Sequence, residues 1–204
     1  MPIGGRRAPS HAVLSLIPVV QAWPREPWFG WAPPLSSAQS IVLRGGTSDA
    51  EVALVVATLA SCNGVAPPCG IAEAAQALEA AETPILPGGL LVRAGALEIP
   101  PSCCCGLETW REWYDVAPGG TSPWLGHSPS PWVECRKDYA LIHADEEMGA
   151  PSPTVAVSYS ELGEALAGAH AALRAFTRRL SQWLDARAPG TALERRFAEV
   201  FDIR

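Results

Sequence analysis

The sequence predicts an α+β fold in which a small, mostly antiparallel sheet is backed by a long C-terminal helix. Two observations carry this. From residue 160 to 186, Leu162, Leu166, Ala169, Leu173, Phe176, Leu180 and Leu184 recur at alternating steps of four and three, which is the spacing of one helical face. Upstream, short runs of strand character at 41–43, 90–93, 96–99, 132–136, 139–143 and 154–157 are bounded by Gly, Pro and Asp. A chain of 204 residues buries about 70% of its unfolded surface and needs neither disulfide nor metal to form a core.

Taken in order, residues 1–40 read as a disordered leader or a signal segment, and the domain is expected to span 41–204. Arg6 and Arg7 precede an apolar run at 12–20, and Val20-Gln21-Ala22 offers a small-residue cleavage site, although Pro18 interrupts the run. After the strand at 41–43 and a turn at Arg44-Gly45-Gly46, Ser48 and Glu51 form a capping box. Val52, Val55, Val56 and Leu59 then mark the buried face of a helix that Asn63-Gly64 stops. Ile71, Ala74, Ala75 and Leu78 mark a second helix, closed by Thr83-Pro84.

Strands at 90–93 and 96–99 flank Ala94-Gly95 as a hairpin, which Pro100-Pro101 ends. A short helix at 107–116 places Trp110 and Trp113 on one face, most simply in the core. A Gly/Pro/Ser-rich loop at 118–131 leads to two strands joined by Lys137-Asp138, then an acidic loop at Asp145-Glu146-Glu147 and a strand at 154–157. Ser158 and Glu161 repeat the capping box before the long helix, and Leu193, Phe197 and Val200 form a last amphipathic segment beyond Pro189-Gly190.

Charge restricts the function classes. With 21 acidic and 15 basic residues the net charge is −6, and the chain lacks the clustered cations of a nucleic-acid interface. No apolar run reaches the roughly 18–20 residues of a membrane-spanning helix. No P-loop, G-x-S-x-G elbow, dinucleotide fingerprint or H-E-x-x-H motif is present. The expectation is a cytoplasmic, non-catalytic protein that binds a protein partner, exported instead if residues 1–22 act as a signal peptide. Trp124, His127 and Trp132 are candidate anchors, because tryptophan is favoured at interfaces and their loop is Pro-rich.

Six cysteines stand at 62, 69, 103, 104, 105 and 135. In a zinc reading, Cys103 and Cys105 face one side of an extended segment, and Cys135 with His127 or His143 completes a tetrahedral site. The alternative is that they are small buried apolar residues and no cofactor is bound. A thiol nucleophile at Cys104 with a histidine base would make the chain a thiol- or metal-dependent enzyme.

Two resemblances bear on partners. Residues 41–60 resemble the core of the small epsilon subunit of bacterial acyl-CoA carboxylases at Arg44, Gly45, Glu51, Ala53, Val56 and Leu59. That resemblance implies a non-catalytic accessory role in a biotin-dependent carboxylase complex. Residues 87–186 are similar to a family from GC-rich bacteria sharing a Cys-Cys-Cys-Gly-Leu-Glu…Trp segment and a Trp-Leu-Gly-His loop. Here these are Cys103, Cys104, Cys105, Gly106, Glu108, Trp110, Trp113, Trp124, Gly126, His127, Pro131 and Trp132. From this set Glu108, Trp110 and Trp113 join the binding candidates. The layout is also similar to immunity proteins, which implies a basic toxin as the partner.

Overall fold

The computed structural model describes residues 13–25, 28–145 and 152–203. Four antiparallel strands form the main sheet in the order β2-β1-β3-β4: β1 (Leu14–Ala22), β2 (Gln39–Val42), β3 (Gly88–Ala94) and β4 (Leu97–Ile99). A second, three-stranded meander is built from β5 (Trp132–Cys135), β6 (Tyr139–His143) and β7 (Thr154–Ser158). Helices α1 (Asp49–Cys62), α2 (Ile71–Ala80), α3 (Tyr159–Arg187) and α4 (Leu193–Val200), with a 3₁₀ segment at Leu107–Asp115, complete the α+β fold.

The expectation of disorder over residues 1–40 is corrected for those of them that the structure describes, 13–25 and 28–40. Residues 14–22 are β1, an inner strand of the main sheet, paired with β3 from Leu14↔Ala94 to Val20↔Gly88 and with β2 from Val19↔Val42 to Ala22↔Gln39. Leu14, Leu16, Val20 and Ala22 enter the core, as even positions on one face of a strand do. Pro18 is tolerated because its missing N–H falls where pairing with β2 ends. Its carbonyl still accepts from the Leu43 amide at 2.9 Å before the chain turns away at Arg44. The Trp/Pro-rich stretch is docked as well. Phe29 is buried, the Trp31 ring lies 6.4 Å from that of Trp183, and its Nε1 donates to the Cys69 carbonyl at 2.9 Å. Arg6, Arg7 and the start of the apolar run, with Glu146 and Glu147 of the acidic loop, lie outside the described residues.

Both capping boxes form. Ser48 and Ser158 accept from the Glu51 and Glu161 amides, and each glutamate returns a carboxylate to the cap residue's N–H. The sequence predicts one buried face for α1, whereas every residue from Val52 to Ala60 is buried. A helix this apolar on all sides has to run through the interior. By contrast α3 buries a single stripe from Leu162 to Leu184 and lies along β1. Asp49, in the first turn of α1, pairs with Arg179 and with Arg187 at 2.6 Å, and Arg179 Nε also donates to the Thr47 carbonyl at 2.9 Å. These contacts clamp the start of α1 to the second half of α3. No helix among the described residues is long and apolar enough to cross a membrane.

Candidate functional site

The outer face of the main sheet is roofed by the segment that carries the three cysteines. Gly89 of β3 makes room for it, and Gly88 for the close approach of β1. A Cβ on Gly88 would stand 2.1 Å from the Val19 carbonyl oxygen, and one on Gly89 would meet Cys105 Sγ and Pro101. Gln21 Nε2 donates to the Pro101 carbonyl at 2.6 Å, and the Gly88 amide donates to the Cys105 carbonyl at 3.1 Å.

The loop from Ser122 onward then lies against this roof. The Ser102 amide donates to the Leu125 carbonyl at 2.9 Å and the His127 amide to the Cys103 carbonyl at 3.1 Å, a short antiparallel bridge. Gly126 permits it, with φ at +87° and only 2.5 Å from its Cβ position to the Cys103 carbonyl oxygen. The bridge sets His127 beside Cys103, with Nδ1 and Sγ 3.5 Å apart.

Cys104 adopts φ +63°, a left-handed conformation that costs a non-glycine residue about 1–2 kcal/mol. This turn corrects the expected alternation. It brings the sulfur of Cys104, not Cys105, to within 3.7 Å of Cys103 Sγ. One donor atom each from Cys103, Cys104 and His127 lie within 4.8 Å of one another, and all three residues are exposed.

Cys105 points inward, its sulfur 3.5 Å from the Trp124 carbonyl oxygen, and burial raises its pKa to about 11. Cys135 lies on β5, packed against the core, and does not belong to the donor group. His143 is occupied elsewhere, stacked 4.3 Å from the Trp132 ring with Nδ1 3.1 Å from Thr154 Oγ1. The expected donor set Cys103, Cys105, His127, Cys135 therefore reduces to Cys103 and His127, with Cys104 added.

The binding candidates divide in the same way. Trp110 and Trp113 are each 1% exposed, and Trp110 Nε1 donates to the Phe201 carbonyl at 2.6 Å, so both are core. Glu108 accepts from the Leu86 amide at 3.4 Å and helps hold the roof. Trp132 is half-buried on His143. Only Trp124, 48% exposed, presents a large ring at the surface, positioned by its Nε1 donating to the Cys104 carbonyl at 3.0 Å and by Glu112 accepting from its amide at 2.7 Å. Trp124, His127 and Trp132 line a cleft of about 350 Å³ with Glu112, Ser122 and Ser130.

A second surface has no counterpart in the sequence reading. Because the Pro18 carbonyl faces β2, the main-chain N–H and C=O groups of Leu14 and Leu16 face the same side, where β2 has already ended. No described strand pairs with β1 there. Beside this free edge is a cavity of about 590 Å³, walled by Leu14, Leu16, Leu43 and Arg44 on one side and by Glu164 and Gly168 of α3 on the other. The alternation of β1 would have revealed it only once β1 had been recognised as a strand.

No protein-family model, curated protein or solved structure matches the chain. The positions that carry the likeness to the epsilon subunit have local structural roles: Glu51 caps α1, while Ala53, Val56 and Leu59 are buried in it.

Proposed function

We propose that this protein is a non-catalytic binding protein that takes up an extended segment of a partner protein along the free edge of β1. The observation that carries the reading is the pair of outward-facing peptide groups at Leu14 and Leu16 beside an apolar cavity. An unpaired strand edge is a template for another strand, and proteins that do not use such an edge shorten, charge or cover it. Strand addition supplies main-chain hydrogen bonds, and pockets beside the edge select alternate side chains. Small residues of α3, Ala165, Gly168 and Ala172, leave room for a second backbone beside β1. Glu161 and Glu164 outnumber Arg44 in the lining, Glu164 is exposed, and the net charge is −6, which together favour a segment bearing a basic side chain, as the surface of a basic toxin would supply.

The test is co-purification from the native host with the wild-type chain and two proline variants. Leu14→Pro removes an N–H that faces the free edge and no bond to β3, so the chain is expected to fold with the lower stability that loss of the buried Leu14 side chain entails, while the partner is lost. Ser15→Pro removes an N–H that faces β3 and is expected to destabilise the protein itself. A stoichiometric partner held equally well by wild type and a folded Leu14→Pro chain, or no stoichiometric partner at all, contradicts the proposal.

A further inference from the structure

We infer that Cys103, Cys104 and His127 form a binding site for a tetrahedral, thiophilic metal ion of the zinc type, independent of the β1 edge. Two thiolates bound at about 2.3 Å to a tetrahedral ion stand about 3.8 Å apart, and a thiolate and an imidazole nitrogen about 3.6 Å apart. The corresponding separations in the protein are 3.7 Å between the two sulfurs and 3.5 Å between Cys103 Sγ and His127 Nδ1. A linear ion with similar bond lengths would need the sulfurs about 4.6 Å apart, so the arrangement suits four-coordinate zinc better than two-coordinate copper(I).

The backbone holds the donors in place. The bridge between Cys103 and His127 fixes one pair. The left-handed turn at Cys104, held by Trp124 Nε1 on its carbonyl, directs the second sulfur to the same point. A cysteine in a conformation that glycine would adopt without strain is retained at a cost, and donating a sulfur to a metal ion accounts for that cost. Three protein donors leave one tetrahedral position, open to water or to a donor from a bound molecule.

The experiment uses the full chain, stripped of metal with a chelator and kept reduced by a phosphine. Titration with Co²⁺ is expected to give one ion per chain with the intense visible bands of a tetrahedral site and a thiolate charge-transfer band, and Zn²⁺ is expected to displace it. Cys104→Gly relieves the positive φ, so the fold is preserved while a donor is lost, and Zn²⁺ affinity should fall by at least about tenfold. His127→Ala should do the same, and Cys103→Ser combined with Cys104→Gly should abolish binding. Cys135→Ser should leave it unchanged. Binding that survives the double variant, binding that is lost in Cys135→Ser, an octahedral cobalt spectrum, or failure to bind either ion overturns the inference.

Discussion

At Asp49 one carboxylate joins two helices, and the consequence is a dependence of stability on pH. The Arg179 guanidinium, followed by that of Arg187, holds the Asp49 carboxyl below its ordinary value of 3.8. A group whose pKa is lowered by folding stabilises the protein above the unfolded value, and that contribution is lost as pH falls through the folded one. Acid unfolding monitored by circular dichroism should therefore show stability falling below about pH 4. In Asp49→Asn this part of the acid limb should flatten, with the variant less stable than wild type at pH 7; an unchanged acid limb contradicts the role of the clamp. Single residues also decide how far the site could be read in advance. Cys103 and His127 could be paired from residue type, and the structure brings them together. Cys104 could be paired with a histidine only as a nucleophile with its base, and its place in the donor set was hidden because one left-handed residue inverts the alternation on which any assignment of facing side chains depends.

At the level of elements, strong local signals were legible and context-dependent ones were not. The capping boxes at Ser48 and Ser158 and the apolar stripe of α3 mark their helices clearly, because caps and 3.6-residue periodicity act within a few turns. β1 was hidden because Arg6, Arg7 and the apolar run after them read as a signal segment, and the Pro18 that interrupts that run is accommodated only because the neighbouring strand ends beside it. The full burial of α1 was equally hidden, since it depends on what the rest of the chain packs around the helix. Burying Leu14, Leu16, Val19 and Val20 is worth about 1.5–3 kcal/mol each, a sum comparable with the whole net stability of a domain. A chain beginning at Trp23, the product of cleavage after Ala22, is therefore expected to lose its cooperative thermal transition. A truncated chain that melts like the full one would show that β1 is dispensable.

Across the whole molecule, one connected core joins the main sheet, the meander and all four helices, from Leu14 of β1 through Val133 and Ile142 to Ile203. That core leaves two surface features at different places, the metal-donor cluster on the roof of the main sheet and the free half of β1 beside α3. Binding along β1 requires the second to be open. Hydrogen exchange of individual amides, measured by NMR on the isolated protein, tests this most directly. Ser15 and Ile17 donate toward β3 and should exchange slowly, while Leu16 between them faces the free edge and should exchange fast. Addition of a partner should then slow Leu16 selectively. If Leu16 is as protected as Ile17 in the isolated chain, the edge is already covered and the account of binding along β1 fails.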